Sequence, residues 1–122
     1  VPFLNTRAPA NLGGPLATLP RMQEAAGEIA AVLRTNRVLL DHAAEAADAG
    51  TPLSVTDSGL LKYTVTTNAI RAVELALQLS GNHGLSRHNP LERHYRDVLC
   101  SRIHTPQNDS ILLAAGRTAL GV

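Results

Sequence analysis

Apolar residues recur with a helical period through two long stretches of the chain. The first begins near Leu19 to Arg21 and places Met22, Ala26, Ile29, Leu33, Leu40, Ala44 and Ala47 close to the 3.6-residue repeat of a one-sided helix. Glu24, Glu28, Arg34, Arg37, Asp41 and Glu45 occupy its outer face, and Gly50 with Pro52 ends it. Ser54 and Asp57 have the spacing of a capping box, which predicts a second helix running to about Ser80. Its apolar stripe is Leu61, Val65, Ala69, Ala72, Ala76 and Leu79. Gly81-Asn82-His83-Gly84 breaks the pattern. Pro90 stands at the first-turn position of a third helix, through Leu91, Tyr95, Val98 and Leu99 to about Arg102. Thr105-Pro106 reads as a fourth start: threonine to cap, proline to preset the first turn, and Asp109 near the positive end of the dipole. Ile111, Leu112 and Ala115 are expected to face inward, and Gly121 ends the segment.

The fold class is therefore all-α, an up-and-down bundle of the four-helix type with two long and two short helices. Pro2, Pro9, Pro15, Pro20, Gly13 and Gly14 make residues 1–20 an extended lead-in, and residues 21–122 form the bundle. The chain does not begin with methionine, so it reads as a portion of a longer polypeptide. Its short helices bury little surface alone and are expected to lean on a further helix, domain or subunit.

Composition sharpens this picture. Hydrophobic residues make up 44% of the chain but aromatics only 2%, so the core is aliphatic and rich in alanine, which favours helices over strands. A net charge of +1 argues against bulk electrostatic binding of nucleic acid. Cys100, the single cysteine, has no partner for an internal disulfide, and a reducing, cytoplasmic setting is the expectation. No apolar run reaches the roughly 20 residues of a membrane span, so no membrane partner is expected.

Candidate chemistry concentrates between Gln78 and Asn108. Four of the five histidines lie there (His83, His88, His94 and His104), with Arg87, Arg93, Arg96 and Arg102 against only Glu92 and Asp97. Amides freed at a glycine turn or helix start bind anions, and arginines add bidentate contacts. Glu92 and Arg96 are spaced as an ordinary helix-surface pair, while Arg96-Asp97 reads alternatively as a buried pair. The histidine spacing fits no zinc pattern, so no metal is expected. His42 is expected at a surface or interface. His104, just before the fourth helix, is placed for proton transfer near neutral pH, or for a purely structural role.

One run is specific. Gln78-Leu79-Ser80-Gly81-Asn82-His83-Gly84, then Asn89-Pro90-Leu91-Glu92-Arg93, Tyr95-Arg96-Asp97 and Arg102-Ile103, resembles the end of acyl-CoA dehydrogenases in order and spacing over about 30 residues. The likeness extends weakly back to about residue 20. It implies the carboxy-terminal helical domain of a flavoprotein, usually a homotetramer. It also implies that Gln78, Gly81 and Gly84 approach the flavin, often a neighbouring subunit's, and that Thr105, Gln107 and Asn108 lie where the last helix begins beside it. The Arg96-Asp97 segment is architectural in this comparison.

The chain departs from the family where the α-proton base often stands. Thr105 takes the place of a glutamate, and a hydroxyl has no pKa suited to that step. His104-Thr105-Pro106 resembles instead the flavin-dependent monooxygenase branch, of the dibenzothiophene monooxygenase type. That branch uses reduced FMN from a separate flavin reductase, with oxygen, on a small sulfur or aromatic substrate. His104 is then the catalytic residue. Ser101 stands where some relatives carry a second histidine. The alternatives are an FAD-dependent acyl-CoA dehydrogenase with its base elsewhere in a longer chain, and a non-catalytic oligomerisation bundle. The 122 residues alone are expected to be inactive.

Overall fold

The computed structural model describes all 122 residues. Five helices are present: α1 (Pro2–Thr6), α2 (Pro20–Asp48), α3 (Val55–Ser80), α4 (Pro90–Leu99) and α5 (Asn108–Leu120), with 3-10 turns at Leu16–Thr18, Gly81–His83 and Cys100–Arg102. The chain is all-helical, as its periodicity predicts. The lead-in is less extended than its prolines suggest. Pro2 sits at the start of α1, the one helical position where a missing N–H costs nothing.

α2 and α3 form an antiparallel hairpin. Gly50, at φ 75°, turns the chain after α2, and Ser54 accepts a hydrogen bond from the Asp57 amide at 3.0 Å to open α3. Glu28 of α2 meets Arg71 of α3, whereas Asn36 meets Val65 and Asn68, so the two helices run in opposite senses. α4 then returns along the carboxy-terminal half of α3, where Tyr95 reaches Glu74 at 3.4 Å. α5 follows along the amino-terminal half, where Ile111 closes on Gly59; a Cβ on that glycine would stand 3.3 Å from Ile111 Cγ2. The two short helices thus share one lane beside α3.

The seam of α2 differs from the expected stripe. Met22, Ala25, Ile29, Val32, Asn36, Leu39, Ala43 and Ala46 are the buried or half-buried positions, a repeat of about 3.5 residues. Leu33 and Leu40 remain 49% and 47% exposed, and Ala26, Ala44 and Ala47 are exposed as well. They form a second apolar stripe beside the seam; Ala26, Leu33, Leu40 and Ala47 also recur every seven residues, so periodicity alone does not choose between the two stripes. On α3 the deepest residues are Ile70, Ala72 and Leu75, and on α5 Ile111; Leu112, expected inside, is 43% exposed.

α5 also begins two residues later than expected. Gln107 takes the N-cap position and its side chain makes no capping bond. Thr105 and Pro106 lie outside the helix because the carbonyls of His104 and Pro106 turn towards the Lys62 ammonium instead of joining a helical ladder.

The turn after α3 explains a glycine. A Cβ on Gly84 would stand 2.8 Å from Ser80 Cβ and 3.3 Å from Leu77 Cδ2. Ser80 Cβ is fixed to the helix and cannot swing away. Gly84→Ala is therefore expected to destabilise the bundle by about 1–3 kcal/mol, read as a lower thermal midpoint by circular dichroism. An unchanged midpoint would show that the turn relaxes freely.

A second expectation concerns acid. Arg71 Nε and Nη2 donate to the two Glu28 carboxylate oxygens at 2.7 and 3.2 Å. The Arg71 hydrogen bond, aided by its charge and partly opposed by desolvation, holds Glu28 below its ordinary 4.5. Arg71 is raised in turn by the same hydrogen bond. A depressed carboxylate stabilises the fold above its unfolded pKa, and that contribution is lost as pH falls through the folded value. Melting curves from about pH 7 down to 3 should therefore show a shallower acid decline for Glu28→Gln than for the parent chain. Parallel declines would remove the pair from the acid response.

Candidate functional site

The residues singled out by sequence lie in two places, not one. Gln78, Gly81 and Gly84 surround the carboxy-terminal end of α3. His104, Thr105, Gln107 and Asn108 belong to a strap, residues 101–108, that crosses α3 near Lys62. Sixteen residues of helix separate Lys62 from Gln78, about 24 Å at 1.5 Å per residue. The ring system of one flavin cannot touch both.

At the first place, Gly81 caps α3 with φ 55°, a left-handed conformation that L side chains rarely adopt. Nothing lies within 4 Å of where its Cβ would be, so the backbone there is open to approach. Gly84 is different: it is buried, and packing against Ser80 and Leu77 accounts for its missing side chain. Gln78 is exposed and lines, with Gly81, Asn82 and His83, a cavity of about 420 Å³. Phe3, Arg7 and Leu16 of the lead-in close its other side. The Phe3 and His83 rings stack there, centroids 4.9 Å apart and 2° from parallel. Arg7 and Phe3 escaped the sequence reading because a proline-rich lead-in carries no periodicity to place them. The Gly81 amide donates to the Leu77 carbonyl at the negative end of α3, so the group here that suits the anionic part of a dinucleotide cofactor is the Arg7 guanidinium, with the glycine leaving room for close approach.

Beyond this turn lies an open groove of about 740 Å³ lined by Arg87, His88, Asn89, Glu92, Arg93 and Arg96, besides Pro90. Arg96 is paired with Glu92 at 2.8 Å, the surface alternative of the two sequence readings. Arg87 and Arg93 form no ion pair. No three of the histidines, cysteine and acids converge as metal ligands.

At the second place, His104 is exposed, with Nδ1 3.2 Å from the Thr105 carbonyl oxygen. Ile103 beside it is 70% exposed. Thr105 and Gln107 are exposed, and the Thr105–Pro106 bond is cis. Asn108 is half-buried and its Oδ1 accepts from Lys62 Nζ at 3.4 Å. Ser101 donates its hydroxyl proton to the Val98 carbonyl at 2.6 Å, and His104 bonds to the Thr105 carbonyl rather than to Ser101. No Asp or Glu occurs from Cys100 to Asn108. The strap therefore offers one imidazole, the Arg102 guanidinium and hydroxyl or amide groups to a ligand, but no carboxylate. Lys62 was illegible in the sequence, since one lysine in a helical stretch predicts only a solvated side chain.

Comparison with known proteins bears on both places. Residues 5–117 match the family model described as acyl-CoA dehydrogenase, C-terminal domain. A Bacillus subtilis (strain 168) protein, YdbM, named for the acyl-CoA dehydrogenases, is 32% identical over 114 residues, covering 92% of this chain and 30% of its own length. Acryloyl-CoA reductase (NADH) of Anaerotignum propionicum is 35% identical over 92 residues, covering 75% of this chain and 23% of that protein. A chain in a solved structure of the electron transferring flavoprotein of Acidaminococcus fermentans superposes with a TM-score of 0.86 at 22% identity, over 98% of this chain and 30% of that one. The last likeness is one of fold. The chain spans less than a third of the length of each of these proteins. With a family model matching from Asn5 to Arg117, the chain belongs to the acyl-CoA dehydrogenase family, in that family's carboxy-terminal domain.

Proposed function

We propose that this bundle is the carboxy-terminal part of a longer flavin-dependent oxidoreductase acting on acyl-CoA thioesters, with FAD as the flavin and the α-proton base outside residues 100–108. The observation that carries the base assignment is the strap itself. It holds His104 and Thr105 but no carboxylate. The relatives named for acyl-CoA chemistry support the substrate class. A bound flavin would supply two-electron acceptance. This chain's own residues would do the holding: Arg7 and Gln78 at the anionic portion of a cofactor, with Gly81 leaving room for its approach, and the strap as a wall of the pocket at the other end of α3. Because the two places lie about 24 Å apart, they serve either the two ends of one extended dinucleotide or two cofactors in a homo-oligomer. The exposed stripe of Leu33 and Leu40 supports burial of α2 against further protein, in line with a tetramer.

The exposed His104 favours a second reading: a monooxygenase taking reduced FMN from a flavin reductase and oxidising a small sulfur or aromatic substrate with oxygen. His104 would then move a proton at the reacting edge. One experiment separates the two. Full-length protein is mixed anaerobically with acyl-CoA thioesters and the visible flavin absorbance is followed. Bleaching is the expected result. No bleaching, together with oxygen-dependent product from supplied reduced FMN, would replace the first reading by the second. His104→Ala is expected to slow acyl-CoA turnover less than about tenfold, whereas loss of a true general acid–base group costs about 10²–10⁴-fold.

A further inference from the structure

Lys62 makes a set of contacts that neither the reading above nor the family match assigns. It lies eight residues into α3, half-buried beneath the strap. Its Nζ donates to the carbonyl oxygens of Ser101 at 2.6 Å, Pro106 at 2.9 Å and His104 at 3.2 Å, and lies 3.4 Å from Asn108 Oδ1. An ammonium has three N–H donors, so the four oxygens share them. None is a carboxylate, and Lys62 has no ion-pair partner. The three carbonyls accept no backbone hydrogen bond, and Lys62 is their only protein donor. The bond to Ser101 is part-buried and those to His104 and Pro106 are exposed, so the interaction is chiefly one of convergence: one side chain from α3 serves three carbonyls spread over six residues.

We infer that Lys62 is the positioning residue of the strap: its ammonium draws the end of the Cys100–Arg102 turn, His104, Pro106 and the start of α5 to one point. The shape of residues 101–108 then depends on a group contributed by a different helix. The His104 carbonyl is itself one of the four oxygens, so the direction in which its imidazole leaves the backbone is set from the same place. A compact ammonium can serve converging oxygens, whereas the planar fork of arginine cannot. That the strap borders a flavin rests on the proposed function; that Lys62 holds the strap does not.

The test uses the full-length protein and amide hydrogen exchange. The Ile103 and His104 amides, bonded to Cys100 O at 3.2 and 3.0 Å, and the Ile111 amide, bonded to Gln107 O at 3.1 Å, report on the strap and its exit. Lys62→Met keeps most of the stem and removes the donors. It is expected to speed exchange at these amides by about tenfold or more, with a smaller change at the α2–α3 seam. In Lys62→Ala, propylammonium should restore protection and tetramethylammonium, which has no N–H, should not. Unchanged strap exchange, an equal increase across strap and seam, or equal rescue by both amines would each overturn the inference. Flavin absorbance and turnover are followed in the same samples. A strap that loosens while flavin affinity and turnover stay unchanged would support the role of Lys62 and refute the strap as a flavin wall.

Discussion

A single buried amide fixes how the two long helices meet. Asn36 donates to the Val65 carbonyl at 2.8 Å and accepts from Asn68 at 2.9 Å, in the middle of an otherwise aliphatic seam. Alanine and leucine surfaces slide past one another at little cost, but an amide moved off its partners loses about 1–3 kcal/mol. A polar residue at a seam position is a known way to set register. Everything else is hung on α3 in that register: the glycine turn at its end, Lys62 near its start, and the lane along which α4 and α5 lie.

The helix boundaries were legible because local chemistry writes them. Ser54 with Asp57, Gly50, and Pro90 each act within four residues of where they stand. The seam of α2 was legible only in part. Two apolar stripes lie side by side on that helix, and a reading by apolar positions selects the one that contains Leu33 and Leu40 over the one that contains Asn36. A polar residue is the last position such a reading would place inside. The fourth helix start was misplaced for a related reason. Thr105-Pro106 carries every local sign of a cap, yet carbonyls there are claimed by a side chain 42 and 44 positions away. No window of local sequence contains that competitor.

Family and branch were written at different scales. About 30 residues of ordered spacing carried the family, and the match over residues 5–117 bears it out. The monooxygenase branch rested on His104-Thr105-Pro106 alone, and the relatives at 32% and 35% identity are named for acyl-CoA chemistry. Three residues at an exposed strap describe what is missing from a site more readily than what the whole site does.

The placement of both candidate places on α3 has a mechanical consequence. Two paths join the strap to the glycine turn: α3 itself, and α4, which begins just after the glycine turn and runs into the Cys100–Arg102 turn that opens the strap. α3 is one uninterrupted helix, a stiff rod held at mid-length by the Asn36 clamp. The Arg71–Glu28 pair and the packing of α2, α4 and α5 hold it on either side of that point as well. If binding at one end displaces that rod, the helices packed along it move with it, and the other end receives the displacement through both α3 and α4.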